Sequence, residues 1–168
     1  MNAPWLPQAP GATTPLEGVL GWNPALLEKF KRFHGLLWED RLLEPELLEI
    51  LRVRIAYLHG CAAELAIEHA DSGLSPEKRA AVADWERSDA FSPKERALLS
   101  YADQIPFQHN FIGEDLAAEV RTHLDDRGFV AFSLAIAMFD ALCRLRMTFG
   151  LEPAAAQVNP PGPQRELA

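Results

Sequence analysis

The sequence predicts an all-α protein, a helical bundle of six to seven helices, on three observations. Apolar residues between positions 18 and 153 recur at steps of three and four. Polar-proline pairs punctuate that stretch where helices begin. No segment alternates apolar and polar residues between hairpin turns, so no strand is expected.

The elements follow in order. Asn23-Pro24 is a helix start, with Asn as N-cap and Pro at the first helical position. Leu26, Leu27, Phe30, Phe33, Leu36 and Leu37 carry the periodicity that follows. Pro45 opens a second helix, lined by Leu47, Leu48, Leu51, Ile55 and Leu58, and Gly60 interrupts before Cys61. Leu65 and His69 predict a short helix that stops at Gly73. Ser75-Pro76 begins another. Ser92-Pro93-Lys94-Glu95 is a capping box, with the serine as cap and the glutamate at the third position. Leu98, Leu99, Tyr101, Ala102 and Ile105 follow, and Pro106 is expected to end that helix. Gly113-Glu114-Asp115 leads into Leu116–Leu124. The last helix is expected from about Asp126 to Phe149, closed by Gly150 and Pro153.

The chain of 168 residues fits one domain, and 48% apolar residues fill one core without disulfides or metals. Residues 1–17, with four prolines, read as an extended N-terminal arm, and Trp5 and Leu6 are placed to pin it to a neighbour. Residues 18–153 form the domain, and proline-rich 154–168 read as a flexible tail. A net charge of −8 with scattered basic residues argues against nucleic acid as a partner. Two cysteines, Cys61 and Cys143, are too few for a disulfide framework or a zinc ribbon. The N-terminus lacks an apolar signal region, and no long apolar run predicts a membrane span, so a reducing cytoplasm is the expected location.

Residues 44–73, EPELLEILRVRIAYLHGCAAELAIEHADSG, resemble the signature of the alkylhydroperoxidase D/carboxymuconolactone decarboxylase superfamily. That signature is a helix with Glu and Arg, a small turn, then Cys-x-x-Cys and a His four residues on. The flanking segments WNPALLEKFKRFHGLLWEDRLLEPELLEILRVRIA, FSPKERALLSYADQI and GFVAFSLAIAMFDALCRLRMTFGLEP resemble the family's other helices, in its order. The resemblance covers roughly residues 18–153. It implies an oligomeric helical fold, with a pocket between subunits, and hydroperoxide or thiol-redox chemistry on the peroxidase-related, antioxidant side. It gives Glu49 the position of the family's glutamate, Arg52 that of the following arginine, and Cys61 that of the first cysteine. Two positions depart. Glu64 stands where the second cysteine is expected, and Glu68 where the histidine is, with His69 one step later. One residue turns a side chain by about 100° on a helix, so His69 takes the histidine's place only if the helix is distorted. A glutamate at the second position is closer to the decarboxylase branch, although the aromatics and paired histidines of that branch are absent.

Three readings stay open. In the first, Cys61 is the nucleophile of a thiol oxidoreductase, with Glu49 as proton relay. A thiolate attacks a small hydroperoxide, becomes a sulfenic acid and is resolved by an external thiol reductant, or by Cys143 if the last helix packs beside Cys61. A helix start at Cys61 would lower its pKa, while Glu64 and Glu68 would raise it. In the second, Glu49, Glu64, Glu68, His59 and His69 perform acid–base chemistry on a small carboxylate, as a lyase or isomerase would. In the third, the protein is a catalytically silent oligomer that binds a small molecule or partner, and Cys61 is a small core residue.

The plain alternatives are set beside these. Glu64 and Glu68 at i, i+4 fit an exposed helix face, and Glu49 with Arg52 or Arg54 fits a surface ion pair. His59, Cys61, Glu64, Glu68 and His69 include metal donors without a metal motif, so no metal and no cofactor are expected. His34, His109 and His123 are isolated in sequence. Phe129, Phe132, Phe139 and Phe149 belong to core or subunit interface. Of Arg144 and Arg146, one suits the helix C-terminus and the other a substrate carboxylate.

Overall fold

The computed structural model describes residues 4–151, and the expected tail at 154–168 lies outside them. Eight α-helices occur among the described residues: α1 (Pro15–Leu20), α2 (Pro24–Glu39), α3 (Pro45–His59), α4 (Ala62–Leu65), α5 (Pro76–Ala81), α6 (Pro93–Gln108), α7 (Glu114–His123) and α8 (Asp126–Thr148). Three short 3-10 segments, Ala70–Ser72, Val82–Arg87 and His109–Phe111, complete them, and no strand is present in this range. The count exceeds six to seven because α1, of six residues, is too short to show a period in sequence. Helix α1 starts inside the segment read as an extended arm. Residues before it fold back, with Ala9 N donating to Gly18 O at 2.8 Å and Trp22 Nε1 donating to Pro7 O at 2.8 Å.

Local chemistry sets the helix starts. Asn23 accepts from Leu26 N, Ser75 from Lys78 N and Asp125 from Gly128 N, each satisfying an otherwise orphaned amide. Ser92 and Glu95 form the capping box expected for α6. Pro106 does not end that helix: α6 runs on to Gln108. A proline removes one helical hydrogen bond, that to the carbonyl four residues back, and the helix continues without it. The Pro106 carbonyl accepts from Arg144 Nη2 at 3.0 Å, which ties the segment to α8.

Helix α3 runs through the middle, packed on α8 along one side and on α6 and the 82–87 segment along the other. Leu48, Ile50, Leu51, Val53, Ile55 and Ala56 are all within 1% of full burial, so nearly its whole circumference is buried. The main core joins α3, α6 and α8 through Leu48, Leu51, Ile55, Leu98, Phe132, Ile136 and Phe139, and it contains both cysteines. A second cluster, Ile50, Val53, Val82, Trp85, Phe91 and Leu99, lies on the other face of α3. Arg54 pins that side by a bidentate pair to Asp103, at 2.6 and 2.7 Å, and by donating to the carbonyls of Val82 and Ala83.

Helix α8 is long and apolar enough, by length and composition alone, to cross a bilayer, which the sequence reading did not anticipate. It lies lengthwise against α3, with Phe132, Ile136, Phe139 and Cys143 inside the core. Helix α2 behaves differently. Leu37 is its one buried residue, while Leu26, Phe33 and Leu36 of its apolar stripe face outward.

Candidate functional site

The turn that presents Cys61 is built from two backbone bonds. Gly60 takes the left-handed conformation, φ +65°. Gly60 N donates to Tyr57 O at 3.1 Å and Cys61 N to Ala56 O at 2.9 Å, which together close α3 as a Schellman motif. Cys61 is at once the residue that seals α3 and the N-cap of α4, its carbonyl accepting from Leu65 N. The helix it starts has one turn, so the dipole expected to act on the thiol is small.

Helix α4 stops after Leu65 because arginines take its carbonyls. Arg52 donates to Glu64 O and Ile67 O, and Arg79 donates to Leu65 O and Ile67 O at 2.9 and 2.8 Å. These bonds replace the helical partners those oxygens would otherwise need. The expected helix through His69 is therefore broken after one turn. His69 turns instead onto the indole of Trp38, with ring centroids 4.0 Å apart.

Glu49, Arg52 and Glu64 are buried to within 2% of completely. Arg52 grips Glu49 with two bonds, Nε to Oε2 at 2.8 Å and Nη2 to Oε1 at 2.7 Å, and reaches Glu64 Oε2 at 3.0 Å with Nη1. Arg79 binds the other side of Glu49, and Arg146 binds Glu64 Oε1, each at 2.5 Å. Three guanidinium groups thus meet two carboxylates in one dry cluster. The surface ion pair expected of Glu49 with Arg52 or Arg54 is a buried network, and Arg54 belongs elsewhere. Glu64 is not on an exposed face. Glu68 is exposed.

Helix α8 meets this turn in register. Asp140 Oδ1 lies 2.6 Å from His59 Nε2, and Arg146 pairs with Glu64. Between them Cys143 stands opposite Cys61, both in the same fully buried core. Residues 140, 143 and 146, three apart on one face of α8, therefore line up with 59, 61 and 64 in the same order. The Cys61 thiol, then burial, then the charges of Glu64 and Asp140 push the Cys143 thiol far up, so it keeps its proton. Both sulfurs are fully buried and neither forms a disulfide. Arg144 pairs with Asp140, so neither late arginine of α8 is left for a substrate carboxylate in this arrangement.

The histidines divide. His34 is not isolated: Glu64, His69, Arg146 and Arg52 all act on it. Burial lowers the pKa of both His34 and His69, so both favour the neutral ring. His59, committed to Asp140 and edged by Phe107, does not join them. Four of the five donors weighed as a metal set are thereby separated: His59 to Asp140, Glu64 to its arginines, His69 to Trp38 and Glu68 to solvent. Sequence reasoning missed Arg79 as a member of the site. Its position one turn into a surface helix carries no signal of an inward reach.

Comparison with known proteins agrees with this architecture. The carboxymuconolactone decarboxylase family matches residues 24–104, which hold α2 through most of α6 and every site residue except those of α8. An uncharacterized protein of Bacillus subtilis, YdfG, is 23% identical over 111 residues, 64% of this chain and 76% of its own length. A crystal structure of a protein of unknown function from Agrobacterium tumefaciens, given the provisional name of antioxidant defence protein AhpD, superposes with a TM-score of 0.71. It is 19% identical, and the match covers 82% of this chain and 97% of that one. At that identity the likeness speaks for the fold. Helix order, the Cys61 turn and a family match over just under half of the chain agree: in fold and in the region of the site, the chain is similar to the carboxymuconolactone decarboxylase family.

Proposed function

We propose that this protein is a thiol oxidoreductase of the peroxidase-related kind, in which Cys61 reduces a small hydroperoxide and an external thiol restores it. The observation that carries this reading is the commitment of the carboxylates. Every side-chain oxygen of Glu49 and Glu64 accepts from a guanidinium group, so neither is poised to move a proton on a small carboxylate substrate. That weighs against the lyase or isomerase reading, and equally against Glu49 as a proton relay. What stays chemically mobile is sulfur, at the family's cysteine position. Burial of Cys61 favours a small peroxide over a bulky one, and access through the one-turn α4 favours a site that opens transiently.

A homo-oligomer belongs to the same proposal. Leu26, Phe33 and Leu36 on α2, Phe107 near the end of α6 and Val130 and Leu134 on α8 expose large apolar side chains of the kind that subunit contacts cover.

The test is consumption of hydrogen peroxide and of a small organic hydroperoxide in the presence of a dithiol. Turnover that vanishes in Cys61→Ser and survives in Glu64→Gln is the expected result. Turnover indifferent to Cys61→Ser removes the thiol reading, and absence of any turnover or sulfenic acid leaves the silent binding protein in its place.

A further inference from the structure

Glu64 occupies the place where a second sulfur would close a redox cycle within α4. Its carboxylate is held by Arg52 and Arg146, so it cannot resolve a sulfenic acid on Cys61. A second sulfur nevertheless faces Cys61 from α8: both cysteines are fully buried in one core, and Cys143 stands midway between the two α8 residues that pair with the turn. The two thiols are flanked on both sides by ion pairs between the same two elements, His59 with Asp140 and Glu64 with Arg146. Together they fix the rotation and the register of α8 against the turn. A thiol in the middle of such a ladder is held at its partner, with little left for chance encounter.

We propose that Cys143 is the resolving cysteine of this site, joining α8 to the α3–α4 turn through a Cys61–Cys143 disulfide. This rests on the reading of Cys61 as the peroxide-reactive sulfur. In the first step the Cys61 sulfur attacks one peroxide oxygen. The O–O bond breaks, an S–O bond forms, and the thiol proton leaves with the alcohol or water. Sulfur is oxidised by two electrons and the peroxide reduced by two, giving the sulfenic acid. In the second step the Cys143 sulfur attacks the Cys61 sulfur. The S–O bond breaks, the S–S bond forms, and the Cys143 proton leaves with the hydroxyl as water. An external dithiol then reduces the disulfide by exchange and is itself oxidised to a disulfide. Packing around two buried sulfurs also protects the sulfenic acid from further peroxide for as long as resolution takes.

The experiment treats the reduced full-length protein with hydrogen peroxide, with and without dimedone as a sulfenic-acid trap. The protein is then alkylated under denaturing conditions and mapped without reduction. The expected result is a crosslinked Cys61–Cys143 peptide, loss of two hydrogens from the intact monomer and little dimedone adduct. In Cys143→Ser, the adduct on Cys61 rises severalfold and excess peroxide carries Cys61 on to the sulfinic acid. Cys61 sulfenic acid trapped in the wild type without any crosslinked peptide overturns the role of Cys143 and leaves the peroxidase reading standing. A Cys61 that peroxide leaves unmodified overturns that reading and this inference with it. The decisive outcomes are read on the wild-type chain and stand whether or not the variant folds.

Discussion

Arg146 on α8 sets its Nε 2.5 Å from Oε1 of Glu64, three residues beyond Cys143 on one element and three beyond Cys61 on the other. The pair is almost dry, with the arginine side chain 11% exposed and the glutamate 3%. Removing one partner of a buried pair strands the other charge, so Arg146→Met is expected to lower stability by roughly 2–4 kcal/mol, measured as a shift of the urea midpoint. Pairing it with Glu64→Leu should restore only part of the loss, because Arg52 Nη1 then keeps the Glu64 carbonyl alone. Full additivity of the two losses would show that the pair is not coupled.

Arg52→Met is expected to be the more severe change, about 3–5 kcal/mol, since it takes a guanidinium partner from two buried carboxylates at once. It also removes donors from the carbonyls that end α4. Amides from about residue 64 to 69 should then exchange faster than those of α3. Uniform loss of protection across both segments would contradict a local role.

Gly60 turns the chain from α3 into Cys61 at φ +65°. A side chain there costs about 1–2 kcal/mol, so Gly60→Ala is expected to lower stability by that amount. It should also disturb the approach of Cys61 to Cys143, seen as slower disulfide formation under a mild thiol oxidant. An unchanged midpoint and rate would show that the turn tolerates a Cβ.

The two half-buried histidines give a pH dependence of definite sign. Burial first of all lowers His34 and His69 below the ordinary 6.5. Below that pH the unfolded chain binds their protons and the folded chain does not, so stability present above 6.5 falls as pH drops toward the folded values. The urea midpoint should decline from about pH 7.5 to about pH 5.5, and His69→Phe, which keeps a ring on Trp38, should flatten the decline. Glu17, lowered to about 2 chiefly by Lys31 and Thr13, acts in a lower window: its contribution is present above 4.5 and is lost below it. A midpoint that rises on acidification in the higher window would contradict the neutral-ring assignment.

Much of the bundle was legible because helix ends are local chemistry. Asn23-Pro24, Ser92 to Glu95 and Gly60 each satisfy their backbone within a few residues, and the structure uses them as the sequence spelled them. Pro106 misled because a proline costs one helical bond without ending a helix whose last turn is held from elsewhere, here by Arg144, distant in sequence. The segment from Leu65 to His69 misled for the same reason, its carbonyls being claimed by Arg52 and Arg79.

The sequence by itself determined the all-α class, the positions of the helix starts, the family resemblance and Cys61 as a residue of interest. Only the tertiary structure decided that Glu64 is a buried ion-pair partner, that Arg79 and Arg146 enter the site, and that Cys143 faces Cys61. Caps and periodicities are set by neighbours within a turn or two, whereas the fate of a charge or a thiol depends on which side chains the packing of α8 on α3 brings to it, and no local pattern records that.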